Sequence, residues 1–83
     1  MTQNISITIR CFSLEKEKIG QARINRQYPA KINSQQVYDQ LIDEFPDLKG
    51  LPVRTAVNQE YITEEIAMKD GDEIAFIPPV SGG

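Results

Sequence analysis

Five apolar residues between Ser34 and Pro46, namely Val37, Tyr38, Leu41, Ile42 and Phe45, fall at i, i+1, i+4, i+5 and i+8. That spacing places all five on one stripe of an α-helix. No other stretch of the 83 residues shows so clear a helical period. Ser34 is expected to be the N-cap, because its hydroxyl can accept from a backbone N–H one turn on. Asp39, Asp43 and Glu44 fall off the stripe, and Pro46 should stop the helix. One main helix with one apolar stripe requires one apolar surface to lie on. The stripe could face a partner instead, but in a chain this short it is read as core.

The surface comes from segments of period two. Ile5, Ile7, Ile9 and Cys11 alternate with Ser6, Thr8, Arg10 and Phe12, as in a strand with one buried face. The charged, helix-favouring run from Leu14 to Ile19 predicts a short extra helix closed by Gly20. Ala22 to Tyr28 alternates more weakly, with Ala22, Ile24, Arg26 and Tyr28 on one side, and Pro29 ends it. After the main helix, Val53 to Asn58 predicts a third strand with Val53, Thr55 and Val57 on a shared face. Asn58-Gln59-Glu60 reads as a turn, Tyr61-Ile62 as a short return strand, Ile66-Ala67-Met68 as a brief apolar turn, and Asp70-Gly71 as a strong turn signal. Glu73 to Ile77 is the last strand, with Ile74 and Phe76 opposite Ala75 and Ile77. Pro78 and Pro79 have no N–H to give to a ladder, so pairing ends there. Val80-Ser81-Gly82-Gly83 is left as a tail. The predicted order is β-β-α-β-β-β with a minor early helix, an α+β fold in which one main helix crosses a mixed sheet. Ile7, Ile9, Val37, Leu41, Ile42, Val57, Ile74 and Phe76 form the expected core.

Composition removes several function classes. The formal charge is −3 and the nine basic residues form no run, which argues against nucleic acid as a partner. Glu64-Glu65 reads as solvated surface. With no histidine, the commonest general base and every Ser-His or Cys-His pairing are missing. The single cysteine, Cys11, cannot form an internal disulfide, and no Cys/His spacing suggests a metal site. Its alternation with Ile5, Ile7 and Ile9 favours a small buried apolar role over a sulfur relay. Met1 to Ile9 lacks the pattern of a signal peptide, and no apolar run is long enough to span a membrane. A cytoplasmic protein is expected.

The functional information lies at the C-terminal end. A bare Gly82-Gly83 could be nothing more than a flexible or artificial terminus. Its context is more specific. Asp70-Gly71-Asp72-Glu73-Ile74-Ala75-Phe76-Ile77-Pro78-Pro79-Val80-Ser81-Gly82-Gly83 resembles the end of molybdopterin synthase small subunits. Ala56-Val57-Asn58-Gln59 resembles the third-strand end and turn of that family. Phe12-Ser13-Leu14-Glu15-Lys16-Glu17-Lys18-Ile19-Gly20 resembles its first helix, usually Phe-Ala-x-x-Arg-Glu-x-x-Gly, with Ser13 in place of alanine and Lys16 in place of arginine. The resemblance covers nearly the whole chain and is weakest from Gln21 to Lys31. Pro-Pro-Val-x-Gly-Gly is its specific motif, whereas a bare Gly-Gly is common to ubiquitin-like carriers.

The resemblance implies a ubiquitin-like β-grasp domain over residues 1–80 with a flexible Gly-Gly tail at 81–83. It implies a sulfur-donating subunit with no catalytic apparatus of its own, working in a heterotetramer with the large subunit, where the active site would lie. The C-terminal carboxyl of Gly83, with Gly82 beside it, would be adenylated by an ATP-using activating enzyme. A sulfur donor protein would then convert it to a thiocarboxylate, which passes sulfur to a pterin precursor to build the dithiolene. No resident cofactor or metal is implied. A β-grasp places the first and last strands side by side, so Phe12 and Ile77 would form one apolar docking patch, extended by Pro78, Pro79, Val80 and Ser81. Cover of Phe12 by the early helix or a loop stays open, as does a docking face on Arg54 and Ala56. Three other functions also stay open: a carrier for thiamin or tRNA thiolation, a ubiquitin-like modifier joined to lysines, and an interaction domain with an inert tail.

Overall fold

The computed structural model describes residues 3–12, 20, 22–50 and 52–77. The expected helix over 14–19 and the tail from Pro78 to Gly83 lie outside the described residues. The elements in chain order are β1 (Asn4–Cys11), β2 (Arg23–Pro29), α1 (Ser34–Glu44), a 3-10 turn (Pro46–Leu48), β3 (Arg54–Val57), β4 (Glu60–Tyr61) and β5 (Glu73–Ile77). This is the order expected from the sequence. The strands form one five-stranded sheet in the order β2-β1-β5-β3-β4. β5 runs parallel to β1 and antiparallel to β3; the β1/β2 and β3/β4 pairs are antiparallel.

Alternation decides which face is covered. Ile5, Ile7, Ile9 and Cys11 of β1, Ile74 and Phe76 of β5, and Val57 of β3 are buried in one cluster with Val37 and Leu41 of α1. Tyr38 packs its ring 4.6 Å from that of Phe76. Ile32, Leu48 and Met68 close the rim of the same cluster. Ile42, expected in the core, is only partly buried and packs against its edge. On β2, Ile24 and Tyr28 are buried; Arg26 between them is half-buried and pairs with Glu44 at the end of α1. Each fully buried large side chain contributes about 1.5–3 kcal/mol. Cys11 is enclosed in this core, as its alternation with the isoleucines indicated.

The helix start differs from the expectation. Asn33, not Ser34, is the N-cap. Its side chain accepts from the Gln36 N–H at 2.8 Å, and Gln36 accepts from the Asn33 N–H at 3.0 Å, which completes a capping box. Ser34 is instead the first helical residue, and its buried hydroxyl accepts from the Ile66 N–H at 3.0 Å. The cap position went to the residue with a partner three positions on, and Ser34 was left free to anchor the loop that passes the helix start. At the other end, α1 stops at Glu44 and Pro46 begins the 3-10 turn, since proline disfavours helical angles in the residue before it.

Candidate functional site

The position of β5 determines where the C-terminal residues leave the sheet. Three interactions set it. The Gly71 N–H donates to the Ser6 carbonyl at 2.8 Å, the Ser6 N–H donates to Asp70 Oδ1 at 2.7 Å, and the Thr8 N–H donates to the Asp72 carbonyl at 3.0 Å. Gly71 has φ +87°, a conformation open chiefly to glycine. On the other flank, Asn58 Nδ2 donates to Asp72 Oδ1 and the Glu73 N–H donates to Asn58 Oδ1, both at 3.0 Å. These bonds fix Ile9 opposite Ile74 and Cys11 opposite Phe76 in the parallel ladder. The end of β5, at Ile77, therefore lies beside Phe12, the residue that follows β1.

Phe12 and Ile77 are both half-buried and line one groove of about 180 Å³ on the face of the sheet away from α1. Ala56 and Ala75 lie opposite each other in the β3/β5 ladder and form its floor. Both are buried yet stand outside the core cluster, because the taller side chains of the groove walls shield them. Arg10 stands on one wall, its guanidinium 5.2 Å from the Phe12 ring centre and 3.6 Å from the Glu73 carboxylate. On the other wall Tyr61 is 55% exposed, and the Arg54 guanidinium lies 4.1 Å over its ring. An exposed pair of that kind is worth about 0.5–1 kcal/mol. Gln59 completes this wall from a two-residue hairpin in which Asn58 and Gln59 have φ +51° and +69°. Both central residues of such a turn need positive φ.

The structure thus gathers into one groove two docking faces that the sequence offered separately: Phe12 with Ile77, and Ala56 with Arg54 stacked at its edge. It adds Tyr61, Gln59 and Ala75. Alternation along the last strand puts Ala75 on the side of Ile77, whereas the turn at Gln59 and the short return strand give no hint of which face Tyr61 takes. Pro78, Pro79, Val80, Ser81, Gly82 and Gly83 follow Ile77 in sequence and lie outside the described residues. Among the described residues there is no cluster of three or more candidate metal ligands, and no helix long and apolar enough to cross a membrane.

A mixed sheet with its first and last strands parallel at the centre and one helix across a single face defines a ubiquitin-like β-grasp protein. The sequence profile of the ThiS family matches residues 10–83, and the chain belongs to that family. It is 32% identical over 84 residues to the molybdopterin synthase sulfur carrier subunit of Arabidopsis thaliana, covering 99% of this chain and 88% of that one. Among solved structures it is similar to small archaeal modifier protein 1 of Methanosarcina acetivorans, with a TM-score of 0.76, 25% identity, and coverage of 98% of this chain and 99% of that one. It also shares its fold with the protein–protein complex of subunits 1 and 2 of molybdopterin-converting factor from Helicobacter pylori, with a TM-score of 0.68, 23% identity, and coverage of 95% of this chain and 100% of the matched one.

Proposed function

We propose that this chain is the sulfur carrier subunit of a molybdopterin synthase and that its reacting group is the carboxyl of Gly83. The observation that supports this reading most is that the family match extends through β5 to residue 83. A carboxylate is a poor electrophile. An ATP-dependent activating enzyme joins it to AMP with release of pyrophosphate, and sulfur from a donor protein displaces AMP to leave a thiocarboxylate. That group is ionised and nucleophilic at neutral pH. In the large subunit its sulfur bonds to a pterin precursor, and water then cleaves the acyl–sulfur bond, leaving the sulfur on the pterin and returning the Gly83 carboxylate. Two such transfers build the dithiolene, in a cytoplasmic heterotetramer with the large subunit.

The residue types suit the task. Gly82 and Gly83 have no Cβ, so this end of the chain can pass through a narrow channel with backbone angles closed to other residues. Pro78 and Pro79 restrict the backbone just after β5. The tail beyond residue 80 can thus visit two active sites in turn while the domain keeps its fold. Phe12 and Ile77 dock the partner at the base of the tail, and Pro78, Pro79, Val80 and Ser81 continue the contact.

The test is intact mass after co-expression with the activating enzyme. One oxygen-to-sulfur exchange, localised to the C-terminal peptide, is the expected result. Loading of a Gly83-deleted chain would overturn the proposal. Gly82→Val, which adds a branched side chain in the channel, is expected to block loading without changing the melting temperature. The likeness to a small archaeal modifier protein favours one second reading, conjugation through Gly83 to lysines. Isopeptide-linked products recovered from cells, in place of the thiocarboxylate, would establish it.

A further inference from the structure

The charges of this acidic chain are segregated. α1 carries Asp39, Asp43 and Glu44 on its exposed side and no basic residue. The opposite face of the sheet is basic. Pairing across the strands aligns Arg23 with Arg10, Arg10 with Ala75, Ala75 with Ala56, and Ala56 with Tyr61. These five residues form a single row across all five strands. Arg54, opposite Ile77 in the next row, leans over Tyr61. Arginines therefore stand at both ends of the row, and two alanines form its apolar floor.

Two details make this more than an uneven surface. Of the three arginines only Arg10 has a carboxylate partner among the described residues, Glu73, so the face keeps a net positive charge of two in a chain whose total is −3. The central carbon of the Arg54 guanidinium also lies 4.1 Å over the Tyr61 ring. A ring contact of that kind restrains the guanidinium and uses none of its N–H groups, and an arginine with free N–H groups can grip a carboxylate through two parallel hydrogen bonds. From β1 to β4 the groove spans three strand spacings, roughly 14 Å, with tall walls and an alanine floor. That shape admits one bulky apolar side chain, not a polar surface.

We propose that this groove docks a protein segment in which an apolar side chain is flanked by carboxylates, the apolar group resting on Ala56 and Ala75 and the carboxylates meeting Arg54 on one side and Arg23 with Arg10 on the other. This rests on the sulfur-carrier reading and assigns that chemistry to the docking surface of the large subunit. A nucleic acid fits less well, since its phosphates would meet an apolar floor and the net charge of the chain would repel them. The pairing also orients the carrier: its acidic helix side is turned away from the acidic partner, and the end of β5 is turned toward it.

The experiment is calorimetric titration of the full-length chain against the large subunit from the same organism, at low and high salt. Arg54→Glu and Arg23→Glu are each expected to raise Kd about tenfold and to flatten its salt dependence. Arg54→Lys should recover only part of the loss, because lysine lacks the planar fork. Asp43→Lys on α1 should leave Kd unchanged. Melting temperatures are measured alongside. Arg23 is exposed and has no ion pair among the described residues, so Arg23→Glu carries the test if Arg54→Glu unfolds. A folded Arg23→Glu/Arg54→Glu double variant that binds within about twofold of wild type overturns this docking chemistry alone. Failure of the wild-type chain to bind the large subunit refutes the sulfur-carrier reading, and the docking proposal with it. The first failure appears only in variants and the second in the parent, so the two are distinguishable.

Discussion

On the helix side of the sheet, Ile7, Ile9, Ile74 and Phe76 are fully buried. On the other side, Thr8, Arg10, Glu73 and Ile77 are half-buried and Tyr61 is mostly exposed, and only the small Ala56 and Ala75 on the groove floor are buried. Both faces have apolar groups, but among the described residues only one has a layer of the chain to cover them. The difference shows how a domain this small can divide stability from recognition. Period two places the two tasks on the same strands, one residue apart, so Phe76 belongs to the core and Ile77 to the groove.

Substitutions on the two faces should therefore separate a melting curve from a binding curve. The largest effect is expected from Phe76→Ala, which should reduce unfolding free energy by about 3–5 kcal/mol. Urea titration measures it, and a loss below about 0.5 kcal/mol would break the comparison at its stronger side, since such values are typical of surface sites. Ile77→Asp, one position on, is expected to weaken large-subunit binding by more than about tenfold with the fold intact. Phe12→Ser should behave in the same way. Unchanged affinity in that double variant would move the docking face elsewhere.

Two changes of about 1 kcal/mol sharpen the contrast. Asn33→Ala removes the capping side chain of α1 and should destabilise by about 0.5–2 kcal/mol with no change in binding. Gln59→Gly should act in the opposite sense. Gln59 holds φ +69° at the groove wall, and a left-handed conformation costs a residue with a Cβ about 1–2 kcal/mol. Glycine there is expected to raise stability by up to about that amount while weakening binding, a pairing that a purely structural turn would not give. The smallest effect concerns Tyr28. Burial raises its phenol pKa above the usual 10.0, with Arg26 opposing and Glu44 assisting. The folded state thus holds this proton more tightly than the unfolded state. The resulting stability is complete below pH 10 and falls as pH rises through the folded value. Tyr28→Phe should remove that part of the alkaline loss, read as a shallower decline of melting temperature above pH 10.

The elements that could be read from the sequence were those whose side chains carry a period. The alternation of Ile5, Ile7, Ile9 and Cys11 and the stripe from Val37 to Phe45 gave β1, α1 and most of the core. Ile32, Leu48 and Met68 were missed because they lie outside regular strands and α1, where no period marks burial. The cap was misassigned between two good capping residues, although Asn33-x-x-Gln36 was present as a signature. The groove could be read only in part. Phe12 and Ile77 follow from alternation and strand adjacency, but the floor of Ala56 and Ala75 and the stacking of Arg54 on Tyr61 depend on register between strands far apart in sequence. No single segment encodes that register. It is set by bonds such as Asn58 to Asp72 and Glu73, which join positions 14 and 15 apart.

The order of strands in the sheet differs from the order in which the ribosome makes them. Among the described residues β5 is the last strand in sequence, yet it alone joins the β2-β1 pair to the β3-β4 pair in the sheet. Until residue 77 leaves the exit tunnel, the nascent chain holds two hairpin-like halves with no shared ladder, and each exposes an edge meant for β5. Completing the sheet therefore waits on joining β1 to a strand more than sixty positions away, a long-range pairing that slows folding. An interrupted message that stops before Glu73 yields a chain with no central strand, which the cell can only discard. Any copy that does fold has been translated at least through Ile77, the residue that completes the central ladder.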